Sequence, residues 1–180
     1  MTTHLAFLRA VNVGGTGTIK MAALRTWLAG LGFVDVRTLL QSGNIIFRGS
    51  ARRRGAGLER FLEAEARERL DLATDFLVRT ADEWTDVIAG NPFADAAQRD
   101  PAHLLVVVLK AAPTAAQAQA LQAAIRGREL VSVRKRELYA VYPDGIGRAK
   151  LTLPLIEKHL GARGTGRNWN TVLKMAACAR

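Results

Sequence analysis

Val36-Arg37-Thr38-Leu39-Leu40, Gln41-Ser42-Gly43-Asn44 and Ile45-Ile46-Phe47-Arg48 follow one another without a gap. The outer runs are short and mostly apolar, and the middle four residues are turn formers, so the stretch reads as a β-hairpin. On its N-terminal side, Met21, Leu24, Leu28 and Leu31 recur with helical spacing, and Gly30 and Gly32 close that helix. Before it, His4 to Ala10 reads as a strand. On the C-terminal side, Ser50 to Gly57 reads as a basic loop, and Leu58, Phe61, Leu62, Ala66 and Leu70 form a second helical stripe. Glu63 with Arg67 and Glu65 with Arg69 have the spacing of ion pairs on that helix's wet side. Phe76 to Arg79 supplies one more strand.

The order is therefore β-α-β-β-α-β, the split β-α-β of ferredoxin-like folds. Thr80 and Glu83 have capping-box spacing before a short helix, which Asn91-Pro92-Phe93 breaks. The pattern then restarts. His103 to Leu109 is a strand, and Thr114 with Gln117 opens a helix carrying Leu121 and Ile125. Leu130 to Arg134 and Leu138 to Tyr142 form a hairpin about Lys135, Arg136 and Glu137, and Leu151 to Leu160 is a helix closed by Gly161. Arg163 to Arg167 reads as a loop and Asn168 to Ala177 as a last helix. The expected fold is α+β, with two ferredoxin-like β-α-β-β-α units packed as a tandem pair. The sheets are mostly antiparallel with helices on one face. The first subdomain spans 1–80. The second, 81–180, ends in a helix where its fourth strand would be.

A right-handed crossover makes the first two strands of each unit parallel, so both end at one sheet edge. Asn12 to Lys20 and Gln41 to Asn44 then converge, as do the loop near Lys110 and the tip at Arg134-Lys135-Arg136. Binding groups concentrate on such loops.

The chain has 180 residues, 49% apolar and 23% charged, which is a globular composition. Cys178 is the only cysteine, so no intrachain disulfide forms, and a reducing, cytoplasmic setting is expected. The start has neither the basic region nor the long apolar run of a signal peptide or membrane span, so no membrane partner is expected. Net charge is +10 and uneven: residues 126–180 hold 12 basic and four acidic side chains. Such an excess attracts phosphates or nucleic acid, or simply solvates a surface.

Leu8-Arg9-Ala10-Val11-Asn12-Val13-Gly14-Gly15, Ile19-Lys20-Met21, Gly32-Phe33, Gln41-Ser42-Gly43-Asn44, Asn91-Pro92-Phe93, Tyr142-Pro143-Asp144-Gly145 and Arg167-Asn168-Trp169-Asn170-Thr171 stand in this order along the whole chain. Together they resemble domain of unknown function family 1697, a mostly bacterial set. The resemblance implies a two-part α+β fold of ferredoxin-like character and no established activity. Two positions depart from it: the family tends to have Gly at Ala10 and a small hydroxyl residue near Ala149.

The expected anion-binding residues are Arg9, Asn12, Gly14, Gly15, Lys20, Ser42, Asn44, Arg167, Asn168, Trp169 and Asn170. Backbone N–H groups of a glycine-rich loop opening a helix hold anions, although the same glycines equally serve a tight turn. Ser42 and Asn44 are turn residues that can also donate to a ligand. Arg167 to Asn170 either caps the last helix or joins a site. Arg134, Lys135, Arg136, Arg148 and Lys150 are the nucleic-acid candidates, with Phe7 and Phe47 as stacking platforms or core. No metal-ligand spacing and no nucleophile elbow occurs, so no metal or cofactor is expected, and Asp100 with His103 reads as a turn. The leading expectation is a binder of a phosphate-bearing small molecule or nucleic acid. The alternatives are an enzyme acting on a small phosphorylated or carboxylated substrate at Asn12, Ser42 and Asn168, and a protein-interaction module.

Overall fold

The computed structural model describes residues 1–11, 18–50 and 52–180. They divide into two units, Met1–Asp86 with Met175–Arg180, and Val87–Lys174. The first contains β1 (Thr2–Leu8), α1 (Met21–Gly30), β2 (Val34–Leu39), β3 (Asn44–Gly49), α2 (Gly55–Leu70) and β4 (Phe76–Thr80). After α3 (Ala81–Ala89) and α4 (Ala94–Arg99), the second contains β5 (Leu104–Leu109), α5 (Ala115–Ala124), β6 (Leu130–Arg134), β7 (Glu137–Val141), α6 (Leu153–Leu160) and β8 (Gly164–Asn168). The last helix is α7 (Trp169–Cys178).

Each unit holds a four-stranded sheet, ordered β2-β3-β1-β4 and β6-β7-β5-β8. Every neighbouring pair is antiparallel, so the parallel pair β1 and β2 is split by β3, and β5 and β6 by β7. In the first unit Ala6, Leu8, Ile45, Phe47, Phe76 and Val78 pack against Leu24, Leu28, Leu58 and Leu62 of the helices. The same side of the second sheet presents Val107, Leu109, Leu138, Ala140 and Tyr142 to Leu121, Ile156 and Leu160. Central strands are buried on both faces: Phe7, on the side of β1 opposite Ala6, is fully buried against the Trp84 ring at 4.7 Å.

Arg163 to Arg167 is not a loop. Gly164–Asn168 pairs with β5 over Leu105↔Asn168 to Leu109↔Gly164, so the second unit has the fourth strand that the sequence reading replaced with a helix. Gly-Thr-Gly-Arg-Asn lacks apolar alternation, which hid it. Contact explains the first glycine: a Cβ on Gly164 would lie 2.8 Å from the Val108 carbonyl oxygen.

Helical carboxylates close the outer edges of β4 and β8. Phe76 N–H donates to Glu63 Oε1 and Val78 N–H to Glu59 Oε1, each at 2.9 Å. The match is metric, since four helical residues and two strand residues both advance about 6 Å. Gly164 N–H donates likewise to Glu157 Oε1 at 2.9 Å. Unpaired strand edges invite association, and side-chain acceptors blunt them. Glu63 thus caps the edge of β4, and Glu65 pairs with Arg69 at 2.7 Å.

Candidate functional site

At the end of β1, Leu8 N–H donates to the Gly43 carbonyl at 2.8 Å and Arg9 N–H to Asp75 at 3.1 Å. A Cβ on Gly43 would sit 2.8 Å from Leu8 Cβ, so strand end and hairpin tip touch. The second unit repeats this: Leu109 N–H donates to Arg136 and Lys110 N–H to Arg163. Ala10 has φ 52°, a left-handed conformation that glycine takes without strain.

Asn12, Gly14 and Gly15 lie outside the described residues. Lys20 is exposed just before α1. Asn44 is fully buried, and its amide nitrogen donates to the Leu39 carbonyl at 2.9 Å and to Ser42 Oγ at 3.0 Å. The turn therefore uses both donors of that amide. Arg167 is buried on β8 and donates to Thr165 Oγ1 at 2.7 Å and to the Gly166 carbonyl at 2.8 Å. Burial pushes its pKa down to about 10. Asn168 Oδ1 accepts from Thr171 N–H at 3.0 Å, a helix cap. Trp169 is buried and its backbone N–H donates to the Pro101 carbonyl, while Asn170 is exposed.

Arg134, Lys135 and Arg136 form the β6–β7 tip beside the end of β5. Arg148 and Lys150 belong to the connection that leaves β7 at its other end, where Tyr142 N–H donates to His103. Antiparallel pairing thus separates the five nucleic-acid candidates into two groups. Phe7 and Phe47 are fully buried and present no stacking surface.

Around Arg148 the structure assembles something the sequence reading did not foresee. A cleft of about 180 Å³ lies between the 126–129 turn and the 143–150 loop. Its charged lining is Arg126, Arg128, Glu129, Asp144, Arg148 and Lys150. Arg128 pairs with Asp144 at 2.8 Å. Among the described residues Arg126, Arg148 and Lys150 have no ion-pair partner. Tyr142 anchors the loop by donating to the Leu151 carbonyl at 3.1 Å. Burial, and secondarily the Glu129 charge, push its pKa up to about 12, so the phenol remains a donor. Gly145, at φ 84°, carries the turn, and His103 Nε2 lies 3.7 Å from where its Cβ would be. The other ring nitrogen of His103 is 2.6 Å from Asp100 Oδ2, so the carboxylate orients the imidazole beside Gly145.

Tyr142 and Ala149 also line a second cavity, about 310 Å³, on the helix side of the sheet. Leu105, Val107, Ile146, Leu151, Ile156 and Gly166 make it apolar. Nothing in linear order signals either cavity, because their walls come from β5, the 126–129 turn, the 142–152 connection, α6 and β8.

No helix among the described residues is long and apolar enough to cross a membrane. None of the curated proteins matches the chain. The conserved bacterial protein SP0830 from Streptococcus pneumoniae is similar in structure, with a TM-score of 0.78 and 20% identity over 99% of each chain. At that identity the likeness concerns the fold. A family model matches residues 1–139, and on that match the chain belongs to the family described as protein of unknown function, DUF1697.

Proposed function

We propose that the chain binds a small, phosphate-bearing anion in the cleft of its second unit. One observation carries this reading: Arg126, Arg148 and Lys150 converge on one concavity with no carboxylate partner among the described residues. Cations gathered in a cleft raise the local concentration of anions and supply charge-assisted donors. Two features favour a small molecule over a nucleic acid. The Arg134-Lys135-Arg136 tip and the Arg148/Lys150 loop leave β7 at opposite ends, and Phe7 and Phe47 are core residues.

Fluorescence polarisation at low salt, with labelled mononucleotides and with short single-stranded RNA and DNA, tests this. Saturable mononucleotide binding is expected, weakened about tenfold by each of Arg148→Ala and Lys150→Ala. Lys135→Ala and Arg136→Ala are expected to leave it unchanged. Mononucleotide binding no tighter than that of an unrelated basic protein would end the proposal. So would equal losses from the two groups of substitutions.

A further inference from the structure

We infer that the ligand of the cleft is an amphiphile, an anionic head carrying a short apolar body that occupies the adjoining cavity. This rests on the reading of the cleft as an anion site and adds the class of molecule it takes. The two spaces share Tyr142 and Ala149 and so adjoin, and an amphiphile seated in both would lie across these two residues. One holds Arg126, Arg148 and Lys150; the other is walled by Leu105, Val107, Ile146, Leu151, Ile156 and Gly166. Its volume of about 310 Å³ reaches the range of ligand pockets and is about twice that of an engineered void known to bind benzene.

The cavity has a local cause in the sequence. Strand registers align Ala6↔Ile45 of the first unit with Val107↔Leu138 of the second. By that alignment, Leu105 stands where the first unit has His4, and Ala140 where it has Phe47. The edge-strand bonds of Phe76 and Gly164 likewise align Gly166 with Val78. The first unit fills this layer with an aromatic ring and a branched side chain. The second puts Ala and Gly there. Ile146, an apolar residue of this lining, is 42% exposed and lies in the same loop as Arg148 and Lys150.

Isothermal titration calorimetry on the full chain, with inorganic phosphate, propyl phosphate, hexyl phosphate and hexanol, tests this inference. Burying a methylene strengthens binding about fourfold, so hexyl phosphate is expected to bind about sixtyfold more tightly than propyl phosphate. Gly166→Val, which fills the apolar cavity from a strand residue that does not line the cleft, is expected to erase that gain and spare phosphate binding. The length series needs no variant, so a misfolded substitution leaves the test intact. Equal affinities along the series, with phosphate still bound through Arg148 and Lys150, would overturn the amphiphile and leave the anion cleft standing. Hexanol binding as tightly as hexyl phosphate would overturn it as well, since the head would then contribute nothing. Binding of none of the four would remove both readings together.

Discussion

The two units place equivalent groups at equivalent points and differ in what fills the layer between sheet and helices within each. Leu8 donating to Gly43 is matched by Leu109 donating to Arg136, and Arg9 donating to Asp75 by Lys110 donating to Arg163. Phe76 on Glu63 is matched by Gly164 on Glu157. Arg79, which donates to the Val78 carbonyl, is matched by Arg167, which donates to Gly166. Even the caps correspond: Thr80 Oγ1 accepts from Glu83 N–H, and Asn168 Oδ1 accepts from Thr171 N–H. The Arg167 to Thr171 run is therefore the second unit's version of Arg79 to Glu83, a buried arginine followed by a helix start. The difference lies one turn along the helix. Glu59 accepts from Val78 N–H and lies 3.8 Å from the Arg79 guanidinium, both side chains being buried. The corresponding residue of α6, four before Glu157, is Leu153, which lines the apolar cavity. One unit invests this layer in packing and charge pairing, and the other leaves it open.

The largest expected effect follows from that contrast. Glu59→Ala removes a carboxylate beside a buried guanidinium and the acceptor of the Val78 N–H, a loss of about 3 kcal/mol. Glu157→Ala uncovers one N–H beside a half-buried side chain, at about 1 kcal/mol. Urea unfolding of the two variants measures both. Equal losses would break the argument that the carboxylates differ in role.

A smaller effect tests the packing side. Val78→Gly removes a buried side chain and loosens the strand, at about 2–4 kcal/mol. Gly166→Ala at the corresponding position adds a Cβ 3.3 Å from Leu105 Cδ2, a methyl that borders open space and can yield. Its stability is expected to stay within about 1 kcal/mol of the parent. A Gly166→Ala loss as large as that of Val78→Gly would mean that the second unit is already full.

The fold was legible wherever local chemistry and tertiary packing agree. Met21, Leu24 and Leu28 recur with helical spacing because they face one core, and both capping boxes form. β8 was illegible because a Gly-Thr-Gly edge strand owes its place to close contact with β5 and to Glu157, neither visible in linear order. Glu63 read as an ordinary helix charge for the same reason, and Glu59 was not singled out. Among the candidate site residues, Arg148 and Lys150 were legible as part of a basic excess. Arg126 was not singled out, because what distinguishes it is a cleft closed by a segment some twenty residues away. Asn44 and Asn168 looked like ligand donors, and turn and cap geometry absorbs them.

The smallest effect is read as a slope with pH. His4 is fully buried, its ring 5.4 Å from that of Phe47, and among the described residues neither ring nitrogen has a hydrogen-bond partner. Burial lowers its pKa from 6.5, with the Glu83 carboxylate opposing the shift. Between the lowered value and 6.5 the unfolded chain holds a proton that the folded chain does not. Stability contributed by the neutral ring is thus present above about pH 6.5 and declines as pH falls through that window. Leu105 holds the corresponding place in the second unit without titrating, so His4→Leu imports that solution. Urea midpoints at pH 7.5 and 5.5 are expected to separate less in His4→Leu than in the parent, while His103 and His159 contribute equally to both and cancel. Parallel pH dependences in the two proteins would show that His4 is protonated at no cost, and that its burial between β3 and β4 is not the asymmetry argued here.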